Sequence, residues 1–345
     1  MDTLLDDAYA LVDRLAARRM GGAADPRIAA MGAAERLERL TALRARWEDP
    51  SLLAVPGGFL RTAPPAAPAA RRFVSARGRG ATLTWDSAYV PATAEVAEVY
   101  LAHRANAVAH ARWYGDPDRP GPVVVAVHGY RGGGALEPLL WPIRQWRRQG
   151  LHVVLPTLPF HGPRGGTSVR PPFPAPDPRV TNEGFRQAVW DLSALLGHLR
   201  EQGHGPIHLA GMSLGGYTAA LLATVVDDLA DLLLVVPLAS LAGFARQHGR
   251  LGLGPTADAL HDALEAVYRP TSPLSRPPRV PPDRVRVVAA RSDGITGVEQ
   301  ARRLASHFGA PLTEVRGSHL MQQHLPWKEL ARFGVSGDEY DVLTW

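Results

Sequence analysis

Three residue types in this chain could together perform nucleophilic chemistry at a carbonyl carbon: a serine, an acid and a histidine. The serine is Ser213, set in Gly211-Met212-Ser213-Leu214-Gly215 within "LAGMSLGGYTAALLA". A serine hydroxyl is a weak nucleophile until a base takes its proton, and the base needs a third group to orient it. G-x-S-x-G alone is weak evidence in a chain with 34 glycines. Its context is stronger. "PIHLA" before it has the texture of a short strand, and "LGGYTAALLATVV" after it that of a helix. Glycines on both sides let the backbone turn sharply, so that the hydroxyl can stand above the end of a strand. The bland alternative is a serine capping a helix.

Asp293 and His319 complete the set in the order serine, acid, histidine. Asp293 follows the apolar run "VRVVAA" in a loop containing Gly294, and His319 follows "PLTEV" after a Gly-Ser corner. Asp227, Asp228 and Asp231 are rival acids, but they lie around the start of a strand, at the wrong end of a sheet. His307 falls inside a helical pattern. His324, in "HLMQQHLP", is the closer rival to His319. Reaction at a carbonyl also requires two N–H donors for the developing oxyanion. One is expected from Leu214, after the nucleophile. The other is expected from Tyr130, with Gly129 as the alternative, in "VAVHGYRGGG". No G-x-G-x-x-G or Gly-Lys-Ser/Thr follows, which leaves a phosphate loop poorly supported.

Positioning these groups takes a scaffold, and five β-branched apolar runs supply one: 122–129, 150–158, 206–211, 231–239 and 283–291, with "PLTEVRG" as a sixth. Helical patterns lie between most of them, including "EPLLWPIRQWRRQ", "NEGFRQAVWDLSALLGHLREQ" and "GVEQARRLASHFG". Strands alternating with helices predict a mostly parallel sheet with helices on both faces. Continuous rather than alternating apolar runs fit strands buried on both sides. Before them, "ATLTWDSAYV" and "EVYLAHRANAVAHARWY" read as strands of an antiparallel opening region. Residues 1–71 read as a helical N-terminal appendage ending in the proline-rich "TAPPAAPAA", and residues 72–345 as the sheet domain. Within the appendage, Leu4, Leu5, Ala8, Leu11, Val12 and Leu15, then Leu37, Leu40, Leu43 and Trp47, fall at helical spacing.

The 345 residues carry a formal net charge of +5 and no cysteine, which excludes disulfides and thiolate metal sites. Lys328 is the sole lysine, and no basic block or aromatic-basic interleaving marks a nucleic-acid partner. His204 and His208 do not share a helix, so a metal pair is not expected, and no metal or cofactor is called for. The charge-free stretch Ile207–Val226 is better explained by strand, turn and helix than by a membrane span. Acidic residues in "MDTLLDDAYALVDRL", where an export signal would be basic, make the cytoplasm the expected location.

"HGY", "GMSLGG", "SDGI" and "GSHL" resemble the α/β-hydrolase superfamily over about residues 72–320. Within it, "LPTLPFHGPRGG" followed by "NEGFRQAVWDL" resembles the branch of α/β-hydrolase domain-containing protein 18 and its bacterial relatives. The resemblance implies an α/β-hydrolase fold and cofactor-free hydrolysis of an ester, thioester or amide through an acyl-enzyme. The branch points to small-molecule or lipid acyl esters. Alternatives on the same fold are a non-catalytic binding protein and a peptidase or acyltransferase. Two insertions, 159–184 and 240–282, are placed as lids over a pocket. In the first, Phe160, His161 and Arg164 are candidate substrate contacts. A brace for the loop competes with that role for His161 and Arg164.

Overall fold

The computed structural model describes residues 10–16, 31–166 and 171–320. Nine strands form one sheet: β1 (Ala69–Ser75), β2 (Gly78–Asp86), β3 (Val108–Tyr114), β4 (Val123–Val127), β5 (His152–Pro156), β6 (Ile207–Met212), β7 (Asp231–Val235), β8 (Val285–Ala290) and β9 (Leu312–Val315). Their order across the sheet is β1-β2-β3-β5-β4-β6-β7-β8-β9. The first three strands run antiparallel, and β3 meets β5 antiparallel. From β5 to β9 the sheet is parallel.

Every residue of β4, β5 and β6 is buried. The pleat divides their side chains between two cores. Val123, Val125, Val127 and Leu209 join a core with helices Pro178–Glu201, Leu214–Leu222 and Val298–Phe308. Val124, Ala126, Ala210 and Met212 face the other way, onto Ile143 and Trp146 of helix Ile143–Arg148. Apolar runs were therefore required where both faces are covered.

The chain leaves β4 for β5 on one side and returns to β6 on the other, so the order reverses at β4. The crevice at such a reversal, beyond the strand C-termini, is where open α/β sheets place their ligand sites. Register carries Val127 beside Gly211, bringing the loop after β4 against the turn after β6.

Two sequence readings are corrected here. "EVYLAHRANAVAHARWY" is not a continuous strand: Ala94–Leu101 is a helix, and β3 starts at Val108. Val96 and Tyr100, four apart, bury one face of that helix. Its start is fixed by the Glu183 carboxylate, which accepts from Thr93 N, Thr93 Oγ1 and Ala92 N. In the segment 10–16, helical in its described part, the apolar stripe does not face inward. Leu11, Val12 and Leu15 are about half exposed, whereas Asp13 is fully buried.

The second N-terminal helix, Ala33–Trp47, packs against helix Pro255–Tyr268 of the 240–282 insertion. Extended chain then lies along the sheet domain. Arg276 donates to Leu52 O and Leu53 O, Arg186 to Phe59 O and Ser193 Oγ accepts from Ala63 N. Arginines supply many of these ties because a guanidinium offers several donors to scattered carbonyls.

Candidate active site

Ser213 sits between β6 and helix Leu214–Leu222 with φ 56° and ψ −118°. A non-glycine residue in this region stores strain of about 1–3 kcal/mol, so its surroundings must hold it. They do so through Ser213 N donating to Val235 O at 3.0 Å and Ser213 O accepting from Tyr217 N and Leu238 N. The flanking glycines are dictated by space. A Cβ on Gly215 would lie 2.0 Å from Val127 O, and one on Gly211 would lie 2.2 Å from Gly215 O.

Asp293 stands in the loop after β8. Its Oδ1 accepts from Ile295 N (2.8 Å) and Thr296 N (2.9 Å). Its Oδ2 accepts from Thr296 Oγ1 (2.7 Å) and lies 2.9 Å from His319 Nδ1. His319 comes four residues past the end of β9, and its Nε2 is 2.9 Å from Ser213 Oγ. A carboxylate only accepts, so Nδ1 carries the hydrogen. In the neutral ring Nε2 is then bare and faces the serine hydroxyl as an acceptor. The side chains of Asp293 and His319 are both nearly inaccessible.

Burial opposes an imidazolium at His319. The Asp293 carboxylate, its hydrogen bond and the nearby Asp13 carboxylate outweigh that penalty and raise the pKa above the ordinary histidine value. Burial likewise pushes Asp293 up, but His319 and the donors from Thr296 and Ile295 bring its pKa below the ordinary aspartate value.

The rival residues are engaged elsewhere. Asp227 pairs with Arg279, and Asp231 with His208 at the opposite end of the sheet. Asp228, at the same end, is exposed, and His307 donates to Arg276 O. His324 lies outside the described residues.

The loop after β4 runs directly past the serine: a Cβ on Gly129 would sit 3.2 Å from Ser213 Cβ. Tyr130 is the next residue along it. His128 shapes this loop, with Nδ1 donating to Gly129 O and Nε2 accepting from Leu158 N. Burial lowers the His128 pKa, which suits that neutral tautomer. Glu137 adds a second brace, accepting from Gly133 N and Trp141 Nε1. On the other side Leu214 opens its helix, so its N–H has no partner four residues back in the helix.

Phe160, His161 and Arg164 are all buried. Arg164, 1% exposed, pairs with Asp191 at 2.7 Å and donates to Thr157 O and Asn106 O. His161 Nδ1 donates to Pro159 O, and burial lowers its pKa to about 3, so the ring is neutral. Phe160 takes φ 61° and packs edge-on against Tyr100 and His103. These contacts brace the loop after β5. Two participants escaped the sequence reading. Thr296 lies three residues beyond Asp293, a spacing typical of a local side-chain turn. Asp13 gave no signal, being an acidic residue on a surface-like helix.

Parallel strands, a strained serine at the order reversal and side chains meeting from the loops after β6, β8 and β9 decide the architecture. This is the α/β-hydrolase fold. Solved α/β-hydrolase-fold structures superpose accordingly. Acetyl xylan esterase from Paenibacillus sp. R4 matches with TM-score 0.52 and 18% identity, over 86% of this chain and 90% of that one. Acetyl xylan esterase 1 from Thermoanaerobacterium sp. JW/SL YS485 matches with TM-score 0.52 and 12% identity, over 87% and 96%. At such identities the likeness concerns the fold alone. No family model matches the sequence. Two uncharacterized proteins of Mycobacterium tuberculosis, MT2702 and Rv2627c, are each 36% identical over 267 residues. The match covers 74% of this chain and 63% of theirs, so the chain spans less than two thirds of their length. Among the described residues no helix is long and apolar enough to cross a membrane, and no cluster of three metal-ligating side chains occurs.

Proposed function

We propose that the chain is a serine hydrolase that cleaves a carboxylic ester, thioester or lipid acyl ester through an acyl-enzyme. The observation carrying this reading is the Ser213 Oγ to His319 Nε2 distance of 2.9 Å, at a serine held in a strained conformation. In the first step His319 accepts the Ser213 proton as Oγ bonds to the substrate carbonyl carbon. The carbonyl electron pair moves to oxygen, where the Leu214 and Tyr130 N–H groups face it. As the tetrahedral adduct collapses, the imidazolium returns its proton to the departing alcohol or thiol. Water then repeats the sequence on the acyl-serine, releasing the acid and restoring Ser213. Asp293 holds the Nδ1–H tautomer throughout and stabilises the transient imidazolium.

Selection of the acyl and leaving groups is assigned to segments 159–184 and 240–282, which follow β5 and β7 in the chain. The narrower likeness to the branch of α/β-hydrolase domain-containing protein 18 rests on "LPTLPFHGPRGG" and "NEGFRQAVWDL" and points to small-molecule or lipid acyl esters. The test is turnover of p-nitrophenyl esters graded from acetate to palmitate. Saturable hydrolysis that disappears in Ser213→Ala supports the reading. Absence of hydrolysis across the series, with the protein folded, overturns it.

A further inference from the structure

The catalytic loops are tied to a residue from outside the sheet domain. Asp13, in the N-terminal helical segment, is fully buried, and its carboxylate takes four hydrogen bonds. Oδ2 accepts from His319 N at 2.7 Å and Gly294 N at 3.1 Å. Oδ1 accepts from Ser318 Oγ at 3.1 Å and Leu320 N at 3.2 Å. One carboxylate thus joins the residue after Asp293 to the residues on both sides of the imidazole and to its own backbone. The fit is close. A Cβ on Gly294 would lie 2.5 Å from Ala10 O and 2.9 Å from Asp13 Cβ.

These partners all belong to the acid and histidine loops. Among the described contacts all four donors are neutral, and no arginine is paired with Asp13. Burying an uncompensated carboxylate is costly, whereas an apolar residue would anchor a helix at no such cost. Among the described residues the charge gains a cationic neighbour when His319 is protonated, its state in the transition states and tetrahedral adducts. Other groups act on the imidazole from its remaining sides: Asp293 on Nδ1, Thr296 Oγ1 at 3.2 Å from the same nitrogen, and Ser213 on Nε2. His248, from the next segment, donates to Ile295 O and faces Asp293.

Resting on the serine-hydrolase reading above, we propose that Asp13 is a positioning residue for His319: it locks the acid and histidine loops together and places a second negative charge beside the imidazolium. The N-terminal appendage is then part of the working site rather than an addition to it. The direction in which Asp13 shifts His319, toward the protonated form, agrees.

The test compares Asp13→Asn with wild type in the full chain, using p-nitrophenyl butyrate and a fluorophosphonate probe. The expected result is a fall in kcat of about 10- to 100-fold, the scale of a small misplacement of a catalytic group. KM should stay within about threefold, and the acid limb of kcat/KM should move to lower pH. Leu40→Ala, on the neighbouring appendage helix, is the control for lost stability alone, and its acid limb should stay in place. Asp13→Glu keeps the charge and should restore the limb toward wild type even if kcat remains low. An Asp13→Asn enzyme with lowered Tm but unmoved limb and kcat within threefold would reduce Asp13 to a structural tie. Asp13→Ser, with a smaller acceptor, serves if the asparagine variant does not fold. If neither folds, the carboxylate is a folding requirement and the positioning role falls. Wild type that neither turns over ester nor takes the probe would instead sink the hydrolase reading itself.

Discussion

Replacing Asp293 by asparagine changes one atom, and the surrounding hydrogen bonds dictate the consequence. Oδ1 accepts from two backbone amides, Ile295 N and Thr296 N, while Oδ2 faces His319 Nδ1. The carboxamide has one acceptor oxygen. Placed at the Oδ1 position, it satisfies both amides and turns its NH2 toward Nδ1. The imidazole must then carry its hydrogen on Nε2, where it can no longer accept the serine proton. Flipping the carboxamide restores the productive tautomer but leaves two buried amides facing an NH2. At about 1–3 kcal/mol for each unsatisfied group, the flip is disfavoured by roughly 2–6 kcal/mol. With a factor of ten for each 1.36 kcal/mol, the productive fraction falls by about 30-fold to more than 10⁴-fold. Loss of the charge that stabilises the imidazolium lowers the rate further. A fall in kcat of about 10⁴-fold is therefore expected, comparable to the effect of this exchange in serine-protease triads. The assay is steady-state hydrolysis of p-nitrophenyl butyrate at saturating substrate, with circular dichroism to check the fold. A folded Asp293→Asn variant retaining kcat within tenfold of wild type would refute the orienting role.

Protonated His319 cannot accept the serine proton, and its pKa is raised above 6.5, so kcat/KM should rise with pH through a limb centred above 6.5. A pH–rate profile whose limb lies below 6.5 contradicts this. Gly215→Ala should abolish activity and lower Tm, because its Cβ would lie 2.0 Å from Val127 O and force the nucleophile's helix away from β4; thermal melts and probe labelling read both effects. Arg164→Ala should destabilise the fold by about 3–5 kcal/mol in urea unfolding, since it leaves Asp191 buried without its partner. Its folded fraction should keep KM within a few-fold of wild type, whereas a large rise in KM would make Arg164 a substrate contact. His161 is buried with its pKa depressed to about 3, so the folded state binds fewer protons than the unfolded chain below pH 6.5. Its contribution to stability is complete above 6.5 and lost as pH falls toward 3, so Tm should decline over that window.

The parallel sheet was legible because strands buried on both faces leave uninterrupted apolar runs, as "PVVVAVHG" and "PIHLAG" do. The candidate residues Ser213, Asp293 and His319 were legible because each follows such a run, with a glycine within two positions of each. Helix Ala94–Leu101 was read as strand because its valines and tyrosine have strand-like propensity, while its start is set by Glu183, about ninety residues away. Propensity yields to that kind of tertiary capping. Asp13 was invisible for a related reason. Periodicity finds apolar residues on one face of a helix, whereas here the buried residue is the charged one and Leu11, Val12 and Leu15 are half exposed. His161 and Arg164 attracted attention as polar residues in a glycine-proline loop. Their partners, Pro159 O, Asp191 and Asn106 O, come largely from elsewhere in the chain.

The most direct measurement is covalent labelling by a fluorophosphonate, followed by mass spectrometry of the modified peptide. The account predicts one adduct on Ser213, formed faster as His319 loses its proton, and none in Ser213→Ala. An adduct on another residue, or equal labelling of wild type and Ser213→Ala, would contradict it.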